Sequence, residues 1–161
     1  FGLSIKYEED GNEPLGTGGA LKSISKNLKE HFFIMYGDSY LRESFSEILK
    51  SFQPNQGPLM VIYQNQNKFD KSNVMIKNKK IYYSKSDTLR NCQYIDYGLS
   101  IFHFEDLKKF DEKSFDLSLV QESFSQSGSL QYHIAKERFF EIGSLEGIKD
   151  LESLLNEHRK I

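Results

Sequence analysis

Tryptophan is absent from the 161 residues, and only three prolines and one cysteine occur. A lone cysteine, Cys92, excludes a disulfide framework and a Cys-based zinc site, and it suits a reducing compartment, so the chain is expected in the cytoplasm. No apolar run approaches the roughly eighteen residues a membrane helix needs, and no signal-peptide pattern is found. Neither sign of charge dominates: Lys and Arg number 21, Asp and Glu 23, for a net charge of -2. The chain therefore has no basic field for nucleic acid or an anionic membrane, and an anionic ligand must be held by local groups. The four histidines, His31, His103, His133 and His158, have no metal-ligand spacing. No Ser-His-Asp arrangement can be argued, and Cys92 has no activating partner in the sequence. Repeats, low-complexity tracts and dividing linkers are also lacking.

What is present is a core. Apolar residues make up 38% and aromatics 14%, with thirteen Phe and nine Tyr, a globular composition in a chain of one domain's length. The chain opens on "FGLSIKY" without Met, and this is read as a sign of sequence upstream. Leu3 to Tyr7 alternates as a strand does, and "EEDGNEP" breaks it. Leu21, Ile24 and Leu28 then share one helical face, with the helix starting at the preceding glycines. "HFFIMYGD" is a continuous apolar run, expected as a strand buried on both faces. Leu41, Phe45, Ile48, Leu49 and Phe52 follow at helical spacing, and "PLMVIY" reads as a further strand.

This alternation predicts an α/β domain with a mixed, mainly parallel, Rossmann-like sheet flanked by helices. Further on, "NVMIKNKKIYYSK" reads as a hairpin turning at Asn78 and Lys79, and "YIDYGLSIFHF" as a long strand. Leu117, Val120 and Phe124 mark a helix and "LQYHIA" a strand. Ile148, Leu151 and Leu155 mark a last helix capped by Ser144.

Four places could carry chemistry. The glycines of "EPLGTGGALKSI" let a backbone approach a ligand at a helix N-terminus, yet they match neither the P-loop nor the dinucleotide spacing, so by themselves they read first as a tight turn and only second as a phosphate loop. Asp38 follows Gly37 past a strand end, where open α/β sheets bind ligands, although a turn or capping Asp reads the same. Glu141 interrupts the apolar stretch in "RFFEIGS", where it is either a solvent-facing strand residue or a second carboxylate for a cation shared with Asp38. Lys85 after "IYYS" is either a phosphate contact or an exposed hairpin lysine.

Taken in order, "EPLGTGGAL", "YGDSYL", Lys85, "YIDYGLSIF" and "FFEIGS" resemble the sugar-1-phosphate nucleotidylyltransferases over nearly the whole chain. "DKSNV", "IDYGLSIF" and "RFFEIGSLEG" look closest to the branch acting on heptose and surface-polysaccharide sugars. The resemblance implies transfer of a nucleotidyl group from a nucleoside triphosphate to a sugar 1-phosphate, with release of pyrophosphate. It implies that Leu15, Gly16, Thr17 and Gly18 line the base and ribose pocket, that Asp38 and Glu141 hold Mg²⁺, and that Lys85 meets the sugar phosphate. Asp96 and Gly98, with Ser72 and Asn73, would contact the sugar. The family's N-terminal Gly-rich, arginine-bearing loop for the triphosphate has no counterpart here, so residues 1–161 are expected to form a single domain that lacks its first strand and that loop, and is inactive alone. The alternative from another class is a non-catalytic module binding a sugar phosphate or nucleotide. A glycosyltransferase of similar architecture ranks last, because Asp38 is followed by Ser39 and Tyr40 rather than completing an Asp-x-Asp motif.

Overall fold

The architecture is built around a strand that is apolar on both sides. In the structure, a computed structural model that describes residues 2, 4–86 and 89–158, Leu59, Met60, Val61 and Ile62 are fully buried. Because side chains alternate along a strand, Met60 and Ile62 enter one core while Leu59 and Val61 enter another on the opposite face.

In chain order the elements are helix α1 (Gly16–Ile24) with a 3₁₀ turn at Ser25–Asn27, strands β1 (His31–Met35) and β2 (Ser39–Tyr40), helix α2 (Phe45–Ser51), and strands β3 (Leu59–Gln64), β4 (Val74–Lys77), β5 (Lys80–Tyr83) and β6 (Tyr94–His103). Helices α3 (Phe104–Lys108) and α4 (Leu117–Ser127), strands β7 (Gln131–Ala135) and β8 (Phe140–Glu141), and helix α5 (Leu145–His158) complete the chain. Six strands form the main sheet, ordered β5-β4-β6-β3-β7, with β1 also on β6; β2 and β8 form a separate two-stranded ladder. One core cluster joins the sheet to α3 and α4 through Leu107, Leu117, Val120 and Phe124, and the second seats Ile48 of α2 against Tyr97, Leu99 and Ile101 of β6.

The sheet is mixed and flanked by helices, as the sequence predicts. Its pairing is less parallel than expected: among the described residues β3 and β7 run parallel, while β1, β3 and β4 all pair antiparallel with β6, and β4 with β5. The strand buried on both faces is β3 rather than β1. With β6 as its partner, β1 keeps its residues partly exposed, and Met35 is 53% exposed. The strand expected over Leu3 to Tyr7 does not form at residues 4–7, which are exposed and without regular structure; Leu3 lies outside the described residues. The long strand "YIDYGLSIFHF" stops at His103, because that residue begins a capping box: its ring accepts from Glu105 N (3.0 Å), while its own amide donates to Asp106 Oδ2 (3.1 Å), starting α3.

The predicted hairpin is present, with Asn78 at φ 52° and Lys79 at φ 60°, the pair of positive φ angles a two-residue type I′ turn requires.

One edge of β6 is split. Along one side it pairs with β3, from Leu59↔Ile101 to Gln64↔Tyr94, with an irregularity between Met60 and Ile62. The opposite edge is taken by β4 at Tyr94 and by β1 from Leu99 to His103. Between these partners lie Ile95, Asp96, Tyr97 and Gly98, where among the described residues no strand pairs with this edge. Divergence of neighbouring strands is where open α/β sheets form their crevices.

Candidate functional site

A cavity of about 670 Å³ opens at this split. Its floor comes from β6 through Asp96 and Gly98; its walls come from Tyr36 and Asp38 after β1, Asn73 before β4, Lys85 after β5, and Glu141 of β8. Thus six of the residues predicted for the site, Asp38, Asn73, Lys85, Asp96, Gly98 and Glu141, converge on one cavity from five separate stretches of chain.

Gly98 is there for a steric reason. It adopts φ +78°, and a Cβ on it would stand 2.9 Å from Ser39 Oγ and 3.2 Å from Tyr36 Cδ2. Its carbonyl accepts from Tyr36 N (3.1 Å) and its amide donates to Asp96 Oδ1 (3.0 Å), so one residue fixes both the strand-end loop and the floor carboxylate. The amide of Asp96 donates to Asn73 Oδ1 (3.0 Å), which ties Asn73 to the same floor. Burial raises the Asp96 carboxyl from 3.8 to about 6, against the opposing pull of the Gly98 amide and the Lys85 charge. The phenols of Tyr36 and Tyr83, also in the cavity wall, are pushed up by burial and then by Asp96. Both therefore remain neutral hydroxyls, able to donate as well as accept.

Asp38 and Glu141 are brought together by the β2–β8 ladder, in which Ser39 pairs with Glu141 and Ile142 N donates to Asp38 O (2.8 Å). Glu141 is further seated at the start of α5: its Oε2 accepts from Gly143 N (2.7 Å) and its Oε1 from Ser144 Oγ (2.6 Å). Ser144 also accepts from Gly147 N (2.9 Å), the cap the sequence predicts. A Cβ on Gly147 would collide with the Glu141 carbonyl and carboxylate, so the glycine inside the helix is what lets α5 approach β8. Among the described residues no three His, Cys, Asp or Glu side chains are grouped to hold a metal ion. A pair of carboxylates is nonetheless the donor set Mg²⁺ commonly uses when phosphates complete its shell, so these residues fit that ion.

Lys85 extends from the end of β5, with its amide donating to Glu122 Oε1 (2.7 Å) and its Nζ 3.5 Å from Asp116 Oδ2. That exposed pair contributes little to stability, which leaves the ammonium available to a stronger anion.

Ser72 is buried behind the cavity wall rather than lining it. Its Oγ accepts from Asn65 Nδ2 and Asn67 N (both 3.0 Å), and its amide donates to Asn67 Oδ1 (2.8 Å). These bonds close the 65–72 loop, which presents Lys68, Phe69, Asp70 and Lys71 to the cavity.

Leu15, Gly16, Thr17 and Gly18 do not line this cavity. They lead into and begin α1, where Gly18 N and Gly19 N donate to Phe115 O (2.9 and 3.2 Å) and Thr17 Oγ1 accepts from Leu117 N (2.9 Å). The glycines have a packing reason as well. Gly16 has φ +68° and a Cβ there would lie 2.6 Å from Phe115 O, while a Cβ on Gly18 would overlap the Phe115 ring.

Arg138 was not singled out from the sequence. It lines the cavity with its guanidinium over two rings, 3.7 Å from the Phe69 centroid and 4.3 Å from that of Phe140, and with Nη2 2.9 Å from Asp150 Oδ2. Only the arginine within an aromatic-rich segment hinted at this, and its partner Phe69 is far away in sequence.

A sheet-bound cavity with facing carboxylates and a lysine is an arrangement suited to binding a phosphorylated ligand, and proteins of known structure share its fold. HddC from Yersinia pseudotuberculosis complexed with GMP-PN superposes with a TM-score of 0.68 at 20% identity, covering 86% of this chain and 62% of that one. A putative glucose-1-phosphate thymidylyltransferase from Bacillus anthracis gives 0.76 at 14% identity, covering 95% and 65%. The inositol-1-phosphate CTP transferase from T. maritima gives 0.65 at 17%, covering 86% and 62%. In sequence, a stretch of 71 residues is 33% identical to the D-glycero-alpha-D-manno-heptose 1-phosphate guanylyltransferase of Campylobacter jejuni, covering 44% of this chain and 30% of that protein. No protein-family model matches the chain. The fold is thus that of the sugar-1-phosphate nucleotidylyltransferases, and the resemblance extends to the sequence of a guanylyltransferase for heptose 1-phosphate. The chain spans less than two thirds of the length of these relatives. Among the described residues no helix is long and apolar enough to cross a membrane.

Proposed function

We propose that this chain carries the acceptor side of a nucleotidyl-transfer site, acting on a sugar 1-phosphate of the heptose or mannose type with GTP as donor. The observation that carries the reading is the convergence of Asp38, Glu141, Lys85, Asp96 and Gly98 on one cavity at the split edge of β6. In the reaction a phosphate oxygen of the sugar 1-phosphate attacks the α-phosphorus of the triphosphate in line; a new P–O bond forms as the bond to the pyrophosphate oxygen breaks, and pyrophosphate leaves. Two anions must be positioned and their charge neutralised, which calls for no covalent nucleophile.

Asp38 and Glu141 would hold Mg²⁺, which when bound neutralises charge developing on the phosphoryl oxygens. Lys85 would give up its weak pair with Asp116 for the sugar phosphate. Asp96, with the neutral Tyr36 and Tyr83 phenols, would hold sugar hydroxyls over Gly98, beside Asn73. Ser72 would act through the loop it closes. Leu15, Gly16, Thr17 and Gly18 remain the proposed base and ribose segment. The Gly18 and Gly19 amides are already bonded to Phe115 and Leu15 is buried, so the Gly16 and Thr17 amides and the Thr17 hydroxyl hydrogen are the groups proposed to meet a base. The triphosphate loop is assigned, within this proposal, to sequence outside the 161 residues, and the whole enzyme to the cytoplasm.

The test is pyrophosphate release by the complete encoded protein with GTP, D-glycero-α-D-manno-heptose 1-phosphate and Mg²⁺, with mannose 1-phosphate and with UTP, CTP and dTTP as comparisons. Turnover with GTP supports the reading. Sugar-phosphate binding without turnover for any pair would overturn it in favour of a non-catalytic binding module.

A further inference from the structure

Arg138 is a cationic residue of the cavity wall that the proposed chemistry does not use, and it is enclosed by aromatic rings and a carboxylate. Its guanidinium carbon lies over two phenyl rings, 3.7 Å from the centroid of Phe69 in the 65–72 loop and 4.3 Å from that of Phe140 in β8, and its Nη2 is paired with Asp150 of α5. Nε donates to the carbonyl of Phe139 (3.2 Å), which fixes the side chain's starting direction. One planar cation therefore joins three segments that have no backbone pairing with one another: the loop carrying Lys68 and Lys71, the strand carrying Glu141, and the helix whose first turn seats Glu141.

The loop is anchored in the sheet at both stems, by Gln93 on the β3 side and, on the β4 side, by Asn73, whose amide donates to Tyr94 O (3.0 Å) and whose carbonyl accepts from Ser84 N (3.2 Å). Within it Asn65, Asn67 and Ser72 satisfy one another, and its β3 stem is anchored where Asn65 N and Gln66 N donate to Gln93 O (3.0 and 2.9 Å). These bonds shape the loop, but none of them reaches β8 or α5. Its tip reaches β8 through Phe69, whose ring lies under the Arg138 guanidinium, while the same ring keeps a tilted contact with Tyr63 of β3 at 6.3 Å between ring centroids. A broad, delocalised guanidinium can contact two rings and a carboxylate at once; an ammonium in the same place keeps the charge but is a compact point that cannot reach all three.

We infer that Arg138 is a positioning residue for the acceptor: it clasps the 65–72 loop against β8, holding that wall of the cavity at a fixed distance from Glu141. This rests on the reading of the cavity as a sugar-phosphate site for its functional consequence, but not for the clasp itself. Loss of the clasp frees the loop tip around Phe69 while its stems stay in the sheet, so the acceptor binds more weakly while the carboxylates and Lys85 stay in place.

Two readouts test this on the full protein. The first is trypsin cleavage after Lys68 and Lys71, both exposed, compared among the wild type, Arg138→Met, Arg138→Lys and Phe69→Leu. The Phe69 variant removes the contact from the loop side without touching β8, so it keeps the test open should an Arg138 variant fold poorly. Cleavage is expected to rise about tenfold in all three variants with little change in thermal midpoint, a signature of local rather than global opening. The second is the KM for D-glycero-α-D-manno-heptose 1-phosphate, expected to rise about tenfold with kcat nearly unchanged and with no rescue by lysine. Unchanged loop protection in both Arg138→Met and Phe69→Leu, or full rescue by Arg138→Lys, would overturn the inference. A loop that opens in a protein that never binds the sugar phosphate would leave the clasp supported and remove the functional reading instead.

Discussion

Asp38 and Glu141 bring their carboxylates to one point: a Cβ on Gly143 would stand 3.4 Å from Asp38 Oδ2 and 3.0 Å from Glu141 Oε2. A divalent cation held by both carboxylates binds the folded chain, which assembles the pair, and not the unfolded one, which separates it by about a hundred residues. Mg²⁺ is therefore expected to stabilise the native state by mass action, raising the thermal midpoint by a few degrees, where about 1 kcal/mol corresponds to roughly 2–4 °C for a chain of this size. Asp38→Asn and Glu141→Gln should each abolish the Mg²⁺-dependent shift measured by calorimetry, and pyrophosphate release with it, while leaving the fold intact. A shift that persists in both variants would take the cation away from this pair.

Asp96 should make the protein less stable at neutral pH than it would be with a neutral side chain. Its carboxyl is raised by burial from 3.8 to about 6, so the folded state binds this proton more tightly than the unfolded one. Stability from this group is then highest below about pH 4, falls as pH rises toward 6, and stays reduced above that. Asp96→Asn is expected to gain on the order of 1–3 kcal/mol at pH 7 and nothing at pH 4, read from denaturant unfolding at the two pH values. Equal effects at both would show that the carboxyl is not desolvated.

Gly16 and Gly18 are expected to be needed for packing whatever they bind. Gly16→Ala places a Cβ 2.6 Å from Phe115 O at a positive φ, and should cost about 1–3 kcal/mol in thermal or denaturant unfolding. Gly18→Ala meets the Phe115 ring instead, so Phe115→Leu in the same chain should recover part of the loss. If the recovered double variant binds GTP as the wild type does, Gly18 serves packing alone.

The β4–β5 turn offers a change in the opposite direction. Lys79 sits at φ 60°, a left-handed conformation that costs a residue with a Cβ about 1 kcal/mol. Lys79→Gly should stabilise the protein by roughly 0.5–1 kcal/mol, since Asn-Gly is the preferred pair for this turn. A lower unfolding midpoint would show that the lysine side chain has a contact worth more than the strain.

The sequence by itself determined what is local. Apolar spacing placed α1, α4 and α5, the alternation and turn chemistry of residues 74–83 gave the hairpin, and Ser144 was readable as a cap because capping bonds span only a few residues. The order of Asp38, Lys85, Asp96, Gly98 and Glu141 along the chain was legible too, each at the end or bend of an element. Only the tertiary structure decided that these residues share one cavity, since the cavity depends on β1 and β4 dividing a single edge of β6, and antiparallel or parallel pairing of distant strands leaves no periodic mark in either partner. The same holds for the engagement of the α1 glycines by Phe115, some hundred residues away, and for Arg138. Its place over Phe69 and Phe140 is set by packing between segments that the backbone does not pair, and such contacts exist only once the chain has folded.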